Sequence, residues 1–135
     1  MSEALLMDTH TWIWLMQGEK LSAKVKDRLE SAAAEGQLFI SAISVWELSL
    51  LVQKGRLELP LSVDRFVDQA LENIRCVDVN HKIALSSNLL PGDFHADPGD
   101  RMIVATAREL MASLVTSDEK IINYGKEGHL NVIPL

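Results

Sequence analysis

Short apolar runs alternate along this chain with segments of helical periodicity, and this alternation limits the folds it can adopt. Segments between the runs carry apolar residues three and four apart, as helices do. Strands joined by helices require right-handed crossovers and parallel pairing, with helices on both faces of the sheet. We therefore predict an α/β fold, a three-layer α/β/α domain with a central, mainly parallel five-stranded sheet. Most of the predicted strands are too apolar to face water on either side. They cover residues 5–7, 38–40, 76–79, 113–116 and 131–133.

The helical segments have recognisable ends. Gly55 follows the predicted helix 45–54, at a position where a left-handed C-terminal cap favours glycine. Pro98 suits the first turn of a helix. With 135 residues and 47% hydrophobic content, the chain can fill one continuous core, so residues 1–135 are predicted to form one domain. The predicted helices cover residues 21–33, 45–54, 63–74, 81–88, 98–111 and 119–124.

The single cysteine and the first apolar run indicate the cellular location of the protein. Cys76 is the only cysteine, which excludes an internal disulfide and a cysteine-based zinc site and fits a reducing environment. The run 4–7 ends at Asp8 and has no basic segment before it, so it resembles neither a signal peptide nor a membrane span. We expect a cytoplasmic protein that does not bind membranes.

The net charge argues against a broad basic surface. The formal net charge is -6 and the pI is about 5.1. A protein that holds nucleic acid through a broad basic face would carry a positive net charge. Two bound divalent cations would offset about four of these negative charges. Part of the acidity can therefore belong to a metal site.

Four acidic residues are placed so that they reach one edge of the predicted sheet. Asp8 lies directly after the first strand, and Asp118 lies just past the strand that ends near Thr116. Glu47 is expected in the first turn of the helix after the second strand. Asp100 begins a helix that runs antiparallel to the strand after it, which returns it to the same edge. Because ligands bind at the carboxyl ends of parallel strands, we expect these carboxylates to converge.

Such a carboxylate group indicates a metal site and a class of reaction. Converging carboxylates raise one another's pKa, and a cation among them makes the arrangement tolerable. Oxygen ligands select Mg²⁺ or Mn²⁺ in preference to zinc. Such an ion lowers the pKa of water and neutralises charge on a phosphate during in-line attack. The four acids thus favour phosphodiester hydrolysis by a metal-activated water.

Each acid also has a purely structural explanation. Ser44 and Glu47 have the spacing of a capping box, while Asp97 and Asp118 stand at N-cap positions. Asp100 would lie in a first helical turn, where negative charge is favoured by about 0.3–1 kcal/mol. Glu47, however, is the only charged residue between positions 41 and 53, and a carboxylate in apolar surroundings is unfavourable unless something binds it.

The ordered motifs resemble those of the PIN-domain family, and within it the VapC-type toxins of bacterial toxin–antitoxin pairs. The resemblance covers residues 5–135 and implies a PIN-like fold and a Mg²⁺- or Mn²⁺-dependent endoribonuclease. It makes Asp8, Glu47 and Asp100 the main metal ligands and catalytic residues, with Asp118 completing or supporting the site. The motifs are Asp8-Thr9-His10, residues 44–48, His95-x-Asp97-Pro98-x-Asp100-Arg101 and Thr116-Ser117-Asp118.

The resemblance also implies supporting or substrate-contacting roles for six neighbours of the acids, namely Thr9, His10, Asp97, Arg101, Thr116 and Ser117. The hydroxyls would orient carboxylates or waters, although turn formation explains Thr9 and Ser117 equally well. His10 could contact phosphate or move protons, or make a structural hydrogen bond. Arg101 could pair with a phosphate or with a neighbouring acid.

Two positions depart from the family pattern. Gly99 stands where VapC-type relatives usually carry a bulky aromatic residue, which could loosen the helix start or open room for substrate or a partner. His10 replaces the asparagine of many PIN domains and is interpreted as a trait of a subgroup. Neither departure removes an acid.

Implied partners are an RNA substrate, with tRNA or another structured RNA as candidates, a cognate antitoxin and a second copy in a homodimer. Cleavage would leave a 3′-hydroxyl and a 5′-phosphate. Trp12 and Trp14 are two apart in a predicted helix and cannot share a face. With residues 48–52 and 57–61 they would pack the homodimer or hold an antitoxin peptide, although burial in the core is the simpler explanation.

Three other function classes use a similar fold or similar acids. A receiver-type phosphoacceptor domain is a small acidic α/β domain that uses Mg²⁺, but it needs a second acid beside Asp8, where this chain has Thr9 and His10. Haloacid-dehalogenase phosphatases need aspartates two apart and fail for the same reason. A catalytically inactive PIN-like scaffold that only binds a protein partner is compatible with the sequence.

Overall fold

The computed structural model describes residues 3–135 and, within them, one five-stranded sheet. Every neighbouring pair of strands is parallel. The predicted α/β architecture and all five predicted strands are confirmed, with shifts of one or two residues at some ends. The strands are β1 (Leu5–Met7), β2 (Leu38–Ser41), β3 (Arg75–Val77), β4 (Ser113–Thr116) and β5 (Val132–Pro134).

Strand order creates a crevice in the middle of the sheet. The order is β3-β2-β1-β4-β5, so the chain first builds outward from β1 in one direction and then crosses to its other side. The connections that leave β1 and β4 consequently diverge from each other. Ligands of open parallel sheets bind at the carboxyl ends of the strands where the order reverses, which here is the junction of β1 and β4.

Seven helices are described in this part of the chain. Six agree with the predicted ranges to within a few residues at most ends, and α1 is the helix expected around Trp12 and Trp14. α4 ends earlier than its periodicity indicated, since the chain turns after Ala70 to place Ile74 in the core before β3. The helices are α1 (Thr9–Gln17), α2 (Ala23–Ala34), α3 (Ala42–Gln53), α4 (Val63–Ala70), α5 (His81–Ser87), α6 (Pro98–Leu110) and α7 (Glu119–Lys126).

The sheet separates two hydrophobic cores. Leu5 and Met7 pack on one side with residues of α1, α2 and α3, while Leu6 packs on the other with residues of α5, α6 and α7. Successive residues of a strand point to opposite faces, so a strand covered on both sides must be apolar throughout. β1 is completely buried, which explains the uninterrupted apolar run.

The three tryptophans have different environments. Trp12 is fully buried, Trp14 is half-buried and Trp46 on α3 is exposed. Core burial thus accounts for Trp12. Across residues 3–135, every helix is too short or too polar to cross a bilayer.

Candidate active site

A cleft of about 900 Å³ at the junction of β1 and β4 is lined by all four predicted acids. Asp8 follows β1 and is the N-cap residue of α1, and Asp118 follows β4 and is the N-cap residue of α7. Asp100 lies in the first turn of α6, and Glu47 lies on α3. The fold therefore brings together carboxylates from four separate segments.

Glu47 occupies a different turn from the one expected. α3 begins at Ala42, and its N-cap is Ser41, whose hydroxyl accepts a hydrogen bond from Ile43 N at 3.1 Å. Glu47 is therefore in the second turn, and the capping box with Ser44 is wrong. The physical reason is that β2 runs directly into α3 at Ser41, a junction that the hydrophobic pattern does not reveal.

A chain of hydroxyls holds the Glu47 carboxylate. Thr9 Oγ1 lies 2.5 Å from Glu47 Oε1 and 2.8 Å from Ser44 Oγ. A hydroxyl has one proton, and an ionised carboxylate can only accept. The arrangement that satisfies all three groups has Ser44 donating to Thr9 and Thr9 donating to Glu47. Thr9 thus contacts a site carboxylate, the contact that its supporting role requires.

Asp8 is held from both sides. Its Oδ1 accepts a hydrogen bond from Thr11 N at 2.9 Å, and its Oδ2 accepts one from the Thr116 hydroxyl. The same Thr116 oxygen accepts from Asp118 N at 3.0 Å. Thr116 therefore connects the carboxylate after β1 to the backbone after β4.

Asp97 and His95 surround Asp100. Asp97 caps α6 by accepting a hydrogen bond from Asp100 N at 2.9 Å, as its N-cap pattern predicted. His95 Nε2 is 3.0 Å from Asp100 Oδ2, an ion-pair distance, yet this buried nitrogen forms no directed hydrogen bond with any residue in 3–135. Asp100 thus faces a histidine on one side and an acidic cleft on the other.

Burial and repulsion between carboxylates raise the pKa values of two acids in the cleft. Burial is the main factor that raises the pKa of Asp100 to about 7, and the neighbouring carboxylates Asp97, Asp118, Glu47 and Asp8 raise it further. Burial also raises the pKa of Glu47, and the hydrogen bond from Thr9 partly opposes this. These shifts follow because a buried charge loses hydration and like charges repel.

Metal-ligand geometry is not preformed in the side-chain arrangement. Within residues 3–135, no three His, Cys, Asp or Glu side chains are arranged to hold one metal ion together. The acids share one cleft, but the carboxylates of Asp8, Glu47 and Asp118 are directed to their own hydroxyl or backbone partners. The carboxylate of Asp100 lies against His95.

Arg101 is held by backbone carbonyl oxygens and not by a neighbouring acid. Its guanidinium donates hydrogen bonds to the carbonyl oxygens of Ser87, Phe94 and His95 at 2.8 to 3.0 Å. It is thereby bound to the segment between α5 and α6 and pairs with no acid in residues 3–135. The pairing with a neighbouring acid is therefore absent from residues 3–135, because three carbonyl oxygens take its place, while the phosphate contact stays a prediction.

His10 and Ser117 are exposed and line the cleft. The His10 ring lies 6.0 Å from the ring of Trp14, so one histidine face is directed toward an aromatic side chain. Gly99 lines the cleft as well but is buried. The room expected beside it is already taken by the Glu47 carboxylate.

Three residues near the site were not identified from the sequence in these roles. Ser44 is buried against Thr9. Thr11 donates its backbone N–H to Asp8, and its hydroxyl donates to Val115 O at 3.0 Å. Trp46 is exposed on the cleft wall. The roles of all three depend on residues that are distant in the sequence. Only Trp46 leaves a signal in the sequence, since it is an aromatic residue directly beside Glu47 in an apolar segment.

The four acids lie where the strand order reverses. The protein is thus an α/β protein with an acidic cleft at the carboxyl ends of its strands. The PIN domain family model matches residues 5–127. The chain therefore belongs to the PIN-domain family, as its motifs predicted. Ribonuclease VapC22 of Mycobacterium tuberculosis (strain ATCC 25618 / H37Rv) is 33% identical to it over 118 residues, which cover 87% of this chain and 88% of that protein.

Solved structures share the fold. VapBC2 from Rickettsia felis, bound to a DNA fragment from its promoter, superposes with a TM-score of 0.72 at 20% identity, over 96% of this chain and 98% of that chain. DNA-bound VapBC from Salmonella typhimurium gives a TM-score of 0.70 at 16% identity, over 98% of both chains. At these identities the likeness establishes the fold alone.

Proposed function

We propose that the protein is a Mg²⁺- or Mn²⁺-dependent endoribonuclease that acts as the toxin of a toxin–antitoxin pair. The observation that carries the metal site is the environment of Asp100, whose pKa is raised to about 7 by burial and by four facing acids. Such a group destabilises the empty fold and becomes favourable when a cation binds. The similarity to Ribonuclease VapC22 along most of the chain supports RNA as the substrate.

Asp8, Glu47, Asp100 and Asp118 would hold the ion. Their oxygen donors suit Mg²⁺ or Mn²⁺. Glu47 Oε2 and Asp118 Oδ2 accept no hydrogen bond from residues 3–135 and are available to a ligand. Since no three acids are already arranged around one point, binding requires these side chains to rotate toward a common centre.

A bound divalent ion would lower the pKa of an attacking water and offset the charge that develops on the phosphate during in-line displacement. The chain's own contribution is orientation. Thr9 holds one oxygen of Glu47, and Thr116 and Thr11 hold both oxygens of Asp8. Hydrogen bonds of this kind fix ligand direction in metal sites. Attack by water predicts products with a 3′-hydroxyl and a 5′-phosphate.

The remaining partners belong to the same proposal. The similar solved structures are VapBC complexes, which supports a cognate antitoxin for this chain. A homodimer and a tRNA or other structured RNA substrate follow from the family resemblance. An exposed, unpaired Cys76 supports a reducing, cytoplasmic location.

A catalytically inactive scaffold is the second candidate. It is favoured by one observation, the lack within residues 3–135 of three side chains arranged around a common metal position. A scaffold would bind an antitoxin-like partner through the same fold and would not respond to divalent cations.

A metal titration separates the two candidates. The melting temperatures of wild type and Asp100→Asn are measured in EDTA and at increasing Mn²⁺. At about 100 times its Kd, a ligand stabilises a fold by roughly 2.7 kcal/mol, so wild type should melt clearly higher with Mn²⁺. Asp100→Asn should melt higher than wild type in EDTA and respond weakly to Mn²⁺. Asp27→Asn, an exposed change on α2, is the matched control and should behave as wild type.

Two results would overturn the proposal. One is that Mn²⁺ changes the melting temperature of neither protein and Asp100→Asn melts at or below the wild-type temperature in EDTA. The acids are then helix caps, and the scaffold is the better interpretation. If the protein cleaves RNA but end-group analysis finds a 2′,3′-cyclic phosphate, the ribose and not water is the nucleophile.

A further inference from the structure

Trp46 is an exposed aromatic side chain beside a site acid. It is 57% exposed, and within residues 3–135 every other Trp, Phe and Tyr side chain is buried or half-buried. Trp46 directly precedes Glu47 on α3 and lines the same cleft. Aromatic side chains supply large apolar contact area at interfaces, and packing in the core does not account for the exposed face of Trp46.

The cleft continues from Trp46 to two cations. Residues four apart lie above one another on a helix, so Trp46 and Leu50 share one stripe of α3. Lys54, the C-cap residue of α3, continues that stripe, and Arg56 follows two residues later. All four line the cleft. Lys54 lies about 10 Å along the helix axis from the turn that carries Glu47. Neither cation forms an ion pair with an acid in residues 3–135.

Carboxylates, an aromatic face and two cations follow one another along the cleft, and this order suits a single nucleic-acid strand. Bases stack on aromatic faces, and backbone phosphates are held by cationic side chains. Because the chain carries a net charge of -6, binding cannot rest on a broad basic face. It must depend on local contacts, and an aromatic face between carboxylates and cations provides them.

We propose that Trp46 is a base-stacking platform, on which a base next to the scissile phosphate lies while Lys54 and Arg56 hold a phosphate farther along the strand. The inference rests on the proposed ribonuclease activity and adds a specificity to it. A paired base keeps its faces inside the duplex, so the cleft selects unpaired nucleotides over a double helix.

Binding of RNA tests the platform separately from metal chemistry. The probe is a fluorescently labelled, mixed-sequence 12-nucleotide RNA, used single-stranded and as a duplex, with Mg²⁺ and Asp100→Asn protein so that cleavage is suppressed. Adding Trp46→Ala should weaken single-strand binding by roughly 5- to 140-fold, the range of one lost stacking contact. Trp46→Phe should retain most of the affinity. Leu89→Ala, at a 70% exposed residue outside the cleft, is the control and should leave it unchanged.

The outcomes are distinguishable. If Trp46→Ala binds the single strand as well as the parent does, or if the parent prefers the duplex, the platform is wrong. If Trp46→Ala abolishes self-association in sedimentation while RNA binding is unchanged, the face is a protein interface and the inference fails. In otherwise wild-type protein, Trp46→Ala should keep the Mn²⁺-induced rise in melting temperature. Absence of that rise in wild type would refute the proposed metal site itself.

Discussion

The Oε2 atom of Glu47 lies 2.8 Å from the point that a Cβ atom on Gly99 would occupy. Carbon and oxygen atoms do not approach this closely without displacement, so the glycine at the start of α6 permits the position of the carboxylate on α3. Gly99 therefore connects two helices that each contribute an acid to the cleft.

Gly99→Ala should disturb the metal site without disturbing the fold. Gly99 is helical and has no positive φ, and replacing a compatible glycine by alanine stabilises a protein by about 0.4–1 kcal/mol. The clash falls on the end of a flexible side chain, which can move away. We expect an equal or higher melting temperature in EDTA and a smaller rise with Mn²⁺.

The control for this prediction is a double mutant. In a Glu47→Gln background, Gly99→Ala should produce no further loss of the Mn²⁺ response, because both changes act through the same carboxylate. A large drop in melting temperature in EDTA would show that the helix start, rather than Glu47, is what the methyl group disturbs.

Asp100 should make the metal-free protein less stable as the pH rises. Its pKa is raised from 3.8 to about 7 in the folded state, so between these values the folded protein binds more protons than the unfolded chain. Its favourable contribution is present below pH 3.8 and is lost as the pH rises through 7. The loss is limited to the order of 1–4 kcal/mol, since the group is partly hydrated.

Unfolding in EDTA from pH 4.5 to 8 measures this effect. The stability of Asp100→Asn relative to wild type should grow across the range, while Asp27→Asn should keep a constant difference from wild type. A constant difference for Asp100→Asn would show that the carboxyl ionises normally and that the acids do not form a strained group.

Thr9→Val should weaken metal binding more than Thr9→Ser. Valine keeps the shape of threonine but removes the hydroxyl between Ser44 and Glu47. Loss of such orienting contacts typically lowers metal affinity by 10- to 100-fold, and leaving the buried Ser44 without its partner costs about 1–3 kcal/mol of stability. Mn²⁺ titration calorimetry gives the affinity. Equal Mn²⁺ affinity in Thr9→Val and wild type would assign Thr9 to the turn alone.

Arg101→Met should lower stability and leave the metal response intact. The guanidinium satisfies three carbonyls between α5 and α6, and hydrogen bonds to charged groups contribute about 1.5–3 kcal/mol each. We expect a lower midpoint in urea with or without Mn²⁺ and partial recovery in Arg101→Lys. An unchanged midpoint combined with weaker RNA binding would support the phosphate contact expected from the sequence.

Strand positions and the carboxylate group were predictable because they depend on local patterns. The run Leu5–Met7 is apolar throughout because both faces of β1 are covered. An acid placed directly after such a strand must lie at the edge of the sheet, as Asp8 does. For the same reason Asp118 could be placed after β4 from spacing alone.

The partners of these residues could not be predicted, because they come from segments far apart in the chain. The residues next to Arg101 in the sequence do not indicate that three carbonyl oxygens accept hydrogen bonds from its guanidinium. Ser44 was assigned to a cap, whereas it is buried against Thr9.

The sequence by itself thus determined the architecture, the family and the edge of the sheet where the acids gather, since hydrophobic periodicity and strand-end chemistry are local properties. Only the tertiary structure decided which hydroxyl holds which carboxylate, that Gly99 makes room for Glu47, and that Trp46 stays exposed beside the acids. These features depend on distances of a few ångströms between separate elements, which packing alone sets.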